Sequence, residues 1–306
     1  MKKKSTSFII VDILFLFMMI APFVAAMILK ILFAPASDGI AIVGAQVYCT
    51  IPMPFQSLPI TESQVVSAAV IISLAGLCLF LTHGVRAAVE TKRQHFAEWI
   101  VEFVEKLVNE NMGDYFGGFA PFVAGILALS AFSSLSSLLG LYPPTSDVNI
   151  IAGWSILVFI LITYYKMKCG PLHYIKSFGQ PVAPLAPLNI ISEIATPVSM
   201  TFRHYGNVLS GSVISVLLAS ALQGLSSMLF GSLPGFLGEF GWLRVGIPAV
   251  LSLYFDLFSG CLQAYIFAVL TMLYVAGGFP EDEYQRRQLR KLQKKAEKEK
   301  TAEIHQ

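Results

Sequence analysis

Charge is scarce in this 306-residue chain. Asp, Glu, Lys and Arg make up 13% of it, about half the roughly 25% usual in a soluble domain. Together with 55% hydrophobic residues and a mean hydropathy of +0.68, that scarcity excludes a soluble enzyme of ordinary composition. Cysteine is sparse too. Cys49, Cys78, Cys169 and Cys261 have neither zinc-site nor redox-pair spacing and read as small apolar side chains. The five histidines are scattered, so no metal site is expected. The net charge of +2 offers no basic surplus for nucleic acid. No Gly-rich loop ending in Lys and Ser or Thr occurs, so no nucleotide or other cofactor is expected.

Long apolar runs are what the chain does have. Six occur, at 8–33, 65–83, 118–141, 150–165, 188–230 and 245–275. Several reach the roughly 17–25 residues that a helix needs to cross a bilayer. The fold class expected is an all-α polytopic membrane protein. Basic residues fall at 2–4, 86–93, 166–176 and 286–300, while the loops 35–64, 142–149 and 231–243 contain no Lys or Arg. That asymmetry puts the three loops outside and both termini in the cytoplasm. Residues 1–64 form a first helix and an outer loop, 65–279 the main membrane domain, and 280–306 a charged cytoplasmic tail. The first 36 residues follow the order of a signal peptide, but a signal core spans only about 7–15 apolar residues. This one is longer and contains Asp12, Pro22 and Lys30. It reads as a retained crossing, with a signal peptide as the alternative; removing it would leave the other five in the same orientation.

One segment is helical without being apolar throughout. In 96–112, Phe96, Trp99, Ile100, Phe103, Val104, Leu107 and Val108 recur at helical spacing, with Glu98, Glu102, Glu105 and Glu110 on the remainder. It is too charged to span and reads as an amphipathic surface helix. Such a helix either packs on a neighbouring loop or touches a partner subunit's membrane stalk. Residues 171–188 hold four prolines, a poor setting for a continuous helix.

The polar residues that demand explanation sit in the last two spans. Segment 188–230 carries Glu193, Arg203, His204 and Asn207. Even counted from Pro197 it exceeds a perpendicular crossing, so it must tilt, kink or begin outside the hydrocarbon. Ser199, Arg203, Asn207 and Gly211 recur every four residues and share a face. Gly206, Ser210 and Ser212 keep the nearby surface small. In the last span, Asp256, Gly260, Gln263 and Phe267 form a face, with Asp256 and Gln263 about 10 Å apart along an α-helix. An arginine at membrane depth is costly and marks an ion or substrate route. It effectively never deprotonates, which makes Arg203 a poor proton carrier and a good fixed barrier. It can also help a partner's carboxylate release a proton. Asp256 and Glu193 can take up and lose protons, and they suit two water-filled inlets on opposite sides of Arg203. Simpler roles compete: an internal pair of Arg203 with Glu193 or Asp256, a structural acid at Asp256, and interhelical hydrogen bonds at Asn207 and Gln263. His204 projects about 100° from Arg203 and reads as a helix contact rather than a proton relay.

These residues fall in two long motifs, PVSMTFRHYGNVLSG at 197–211 and FDLFSGCLQAYIFAVLTMLY at 255–274, supported by PTSDVN at 144–149 and by 189–197. Taken together, they resemble the a subunit of the bacterial F-type ATP synthase membrane sector over residues 60–278. The resemblance implies a non-catalytic stator in the bacterial inner membrane, turned against by a ring of c subunits and held by the b-subunit peripheral stalk. It implies that the last two helices are long and strongly tilted. It puts Arg203 on the family's essential arginine, facing the ring carboxylate, with Gln263 opposite it and Asn207 beside the ring. Asp256 falls at an outer half-channel position that is Glu or His in many members, and Glu193 toward the inner side. The 96–112 helix matches the surface helix that meets the stalk. Departures are His204-Tyr205 for the usual Leu-Phe, Ser137 for an Asn, and Ser212 where a Glu or His often stands, which leaves the outer inlet to Asp256. A self-contained secondary transporter is the alternative, but no convincing internal repeat is found; a non-conducting structural membrane subunit is the other.

Overall fold

The computed structural model describes residues 6–33, 44–54, 57–85, 91–179, 183–231, 242–244, 250–251, 253–281, 284–286, 289 and 293. Most of the 231–243 loop, the start of the last predicted span and most of the charged tail lie outside the described residues. Among those described, six helical stretches are long and apolar enough to cross a membrane: Thr6–Leu32, Glu62–Thr82, Tyr115–Leu139, Val148–Lys166, Ala186–Phe230 and Leu253–Gly278. They match the six expected runs. The helices are α1 (Thr6–Leu32), α2 (Glu62–Thr82), α3 (Lys92–Met112), α4 (Ala120–Leu135), α5 (Val148–Lys166), the short α6 (Pro171–Ser177), α7 (Ala186–Phe230) and α8 (Gly260–Gly278). Residues Leu253–Ser259, just before α8, form a π-helical turn.

Two strands precede α2 despite the prolines there. Val47–Ile51 (β1) and Leu58–Thr61 (β2) pair antiparallel. Pro59 can sit in β2 because a two-stranded ribbon has only edge strands. The ribbon feeds directly into α2, where the Thr61 amide donates to Gln64 Oε1 at 3.3 Å.

α1 lies along α2. A Cβ at Gly76 would stand 3.0 Å from the Met19 backbone nitrogen and 3.2 Å from the Phe15 carbonyl oxygen. Only glycine permits that approach without the backbones moving apart. Each end of the pair carries polar contacts. Near the start of α1, Asp12 Oδ1 meets His83 Nδ1 at 2.9 Å and Arg93 Nη1 at 3.0 Å. Near its end, Lys30 Nζ meets Glu62 Oε1 at 3.0 Å, and the same oxygen accepts the Tyr142 amide at 3.0 Å. Ser63 Oγ donates to Asp147 Oδ2 at 2.6 Å, and Asp147 Oδ1 caps α5 by accepting the Asn149 amide at 3.0 Å. The outer turn 141–147 is thereby tied to the start of α2.

The main core joins α3, α4, α5, α7 and α8 through Val108, Val123, Val158, Phe267, Met272 and their neighbours. The apolar stripe of α3 divides between two environments. Val104, Leu107, Val108 and Met112 are buried against the bundle, whereas Phe96, Trp99 and Phe103 stack in an exposed ladder at 6.1 Å steps. Just after α5, Lys168 lies among the rings of Tyr115, Tyr165, Phe279 and Tyr284 at 4.8–5.7 Å. This cation–π cluster pins the chain just after α8 to the end of α5. α7 runs for 45 residues through Pro197. At 1.5 Å per residue it is about 68 Å long, more than twice the roughly 30 Å hydrocarbon core, so it must tilt steeply if it stays in the membrane.

Candidate functional site

The polar residues of the last two spans collect along the α7–α8 interface. Three contacts set its register. The rings of His204 and Phe267 lie 5.5 Å apart, edge to face. Ser259 Oγ donates to Asn207 Oδ1 at 3.0 Å, and Asn207 Nδ2 reaches the Ser259 carbonyl at 3.4 Å. Gly211 meets Phe255, where an added Cβ would stand 3.2 Å from the ring. Numbers rise on α7 as they fall toward the start of α8, so the two run antiparallel. Gln263, between Ser259 and Phe267, therefore stands level with α7 between His204 and Asn207. Gln263 is buried and Arg203 is exposed.

Arg203 makes no hydrogen bond or ion pair with any described residue. The internal pairs with Glu193 or Asp256 are not formed. Glu193 instead meets Lys166 Nζ through Oε2 at 2.6 Å. His204 is fully buried, between Phe267, Trp154 at 6.2 Å and Ser130 Oγ at 3.4 Å. Its ring packs between α4, α5 and α8. Asn207 forms the interhelical bond that was the simpler of its two readings.

Two separate spaces flank Arg203 along α7. On its C-terminal side, Asp256, Ser134, Asn207, Val208, Gly211, Phe255 and Gly260 line a crevice of about 10 Å³, the size of one water. On its N-terminal side, Lys166, Glu193, Thr196, Phe159, Ile162, Leu273, Tyr274, Gly277 and Gly278 line a cavity of about 220 Å³. By helical rise, Thr196 lies about 10 Å from Arg203 on one side and Asn207 about 6 Å on the other. Beside the cavity, burial first and then the Glu193 charge push the Tyr174 phenol above its ordinary pKa.

Asp256 lies in the π turn Leu253–Ser259 and Gln263 in α8, which follows it. Asp256 and Gly260 both line the crevice with Asn207 and Gly211. Ser212 is exposed, its hydroxyl donating to its own helix at the Leu209 carbonyl, 2.8 Å away. Its neighbour Gly211 lines the Asp256 crevice instead. Sequence reasoning missed Ser259, Ser134 and Lys166. For Lys166 the available signal was a cation ending one span on the same side as an acid beginning the next.

The profile of the ATP synthase A chain family matches residues 64–276. The ATP synthase subunit a of Bacillus pumilus (strain SAFR-032) is 32% identical over 235 residues, covering 72% of this chain and 93% of that protein. That of Priestia megaterium (strain ATCC 12872 / QMB1551) gives the same identity and coverage. That of Bacillus velezensis (strain DSM 23117 / BGSC 10A6 / LMG 26770 / FZB42) is 32% identical over 228 residues, covering 70% of this chain and 89% of that protein. α1 lies outside the matched residues 64–276.

Proposed function

This chain belongs to the ATP synthase A chain family, and on that premise we propose that it supplies two offset half-channels that carry protons to and from a rotating ring of c subunits. A proton enters from the outside through the Asp256 crevice and neutralises a ring carboxylate. The ring then turns through lipid. On its return the carboxylate meets the inner side and gives up its proton toward the cytoplasm through the Glu193 cavity. Arg203 stands between the two spaces as a charge that cannot be titrated away. It favours the ionised form of the approaching carboxylate and bars direct passage. Each charge moved down the membrane potential releases about 2.3 kcal/mol per 100 mV. ATP itself is made on other subunits, and the stalk b subunits meet the exposed Phe96–Trp99–Phe103 ladder of α3.

One observation carries the proposal. The Arg203 guanidinium is exposed and unpaired among described residues, between a crevice that touches α7 at 207, 208 and 211 and a cavity that touches it at 193 and 196. A buried internal pair serves packing; an exposed charge at this depth needs an acidic partner from outside the chain. ATP-driven proton pumping in vesicles carrying the assembled complex tests this. Arg203→Ala is expected to abolish pumping, and Asp256→Asn to lower it strongly. Full pumping by Arg203→Ala would remove the barrier role.

A further inference from the structure

The Glu193 cavity is bounded by an ion pair that joins two elements and lies across a third. Lys166, on the last turn of α5, holds Glu193 Oε2 of α7 at 2.6 Å. Its stem reaches that carboxylate by lying across the end of α8. A Cβ at Gly278 would stand 2.9 Å from Lys166 Cε and 3.1 Å from Cγ. The other carboxylate oxygen, Glu193 Oε1, is buried and in hydrogen-bonding geometry with no described group, while the Tyr174 phenol stands close enough to feel the carboxylate. The Glu193 side chain is only 14% exposed, and Lys166 and Glu193 both line the 220 Å³ cavity.

We propose that Lys166 is a positioning residue for ion passage through this cavity, an inference that rests on the half-channel reading above. The ammonium fixes one oxygen of Glu193 and leaves the other for water or a departing proton. It also balances the carboxylate charge. A conducting site must bind well enough to admit an ion and weakly enough to let it leave. An uncompensated, mostly buried carboxylate would hold a cation too firmly. A lysine suits the task because its ammonium is compact and its stem flexible. The glycine at 278 leaves the stem its path.

The test is ATP-driven proton pumping in vesicles carrying the whole ATP synthase, normalised to assembled complex. Lys166→Met is expected to lower pumping at least threefold, and Lys166→Arg to restore most of it. The double variant Lys166→Met/Glu193→Gln should be no worse than the poorer single one, because both act through one contact. Pumping at the unsubstituted level in Lys166→Met, or single effects that multiply in the double variant, overturns the proposal. Where Lys166→Met does not assemble, Lys166→Gln is read with the same two outcomes. Arg203→Ala run in parallel separates the two levels. If it pumps normally, the half-channel reading fails. If it is inactive while Lys166→Met pumps normally, only the role of Lys166 falls.

Discussion

Asn207 and Ser259 bond to each other twice, side chain to side chain at 3.0 Å and side chain to carbonyl at 3.4 Å, and so join α7 to the π turn before α8. The carbonyl that Asn207 reaches belongs to the last residue of that turn. Asn207→Leu removes both bonds. Interhelical hydrogen bonds in membranes are worth about 0.6 kcal/mol on average and up to about 1.7. The variant is expected to lose stability in that range, measured by thermal unfolding of the purified complex. It should also lower pumping, because Asn207 lines the Asp256 crevice. Asn207→Ser, which keeps a hydroxyl, should lose less of both.

His204 is expected to be dispensable for ion movement. Its Nδ1 is buried without a hydrogen-bond partner among described residues, and its Nε2 has only a long contact to Ser130. Removing an unsatisfied buried polar group in favour of an apolar one is close to neutral or stabilising. His204→Leu should therefore keep pumping near the unsubstituted level and keep or raise stability. His204→Ala should keep the route but lose about 2–4 kcal/mol of packing. A large loss of pumping by a fully assembled His204→Leu complex would make the ring a relay after all.

The contact of Lys30 with Glu62 yields a prediction about α1. Glu62 is 3% exposed and Lys30 35%. Lys30→Met would leave a buried carboxylate with only the Tyr142 amide, at a cost of about 1–3 kcal/mol. Glu62→Gln should cost less, since an amide can still accept from Tyr142 and no charge is stranded. Thermal unfolding of the two variants is expected to rank them in that order. Equal stability of Lys30→Met and the unsubstituted protein would mean that α1 does not hold α2 in this way.

The exposed ladder on α3 predicts where the peripheral stalk attaches. Trp99 is 60% exposed and Phe103 46%. Large rings with free faces commonly anchor an interface. Trp99→Ala is expected to weaken retention of the b subunits during purification at least severalfold while leaving the ring bound. Val108→Ala, on the buried side of the same helix, should instead lower stability. Undiminished recovery of b subunits with Trp99→Ala would assign the ladder to lipid.

What could be read from the residues alone depended on the kind of force involved. The six crossings were legible because each is set by the transfer of a continuous apolar run, a property of local sequence. The direction of His204 followed from helical geometry. The π turn at Leu253–Ser259 was not legible, because its largely apolar residues suit an ordinary α-helix equally well. Lys166 and Glu193 are 27 residues apart, and on sequence grounds Lys166 served only as a marker of the cytoplasmic side. The β1–β2 ribbon was hidden by prolines that an edge strand tolerates.

The central claim concerns the surroundings of Arg203, and the position of its guanidinium in the assembled complex tests it most directly. A map of the complex should place that group on the lipid-embedded contact surface, opposite an ionisable carboxylate of a ring subunit, with Gln263 at the same level and no carboxylate of its own chain within 4 Å. Beyond about 4 Å a side-chain nitrogen and a carboxylate oxygen no longer form an ion pair. A guanidinium in bulk water, or sealed against Glu193 or Asp256 with no neighbouring subunit in reach, would contradict the account.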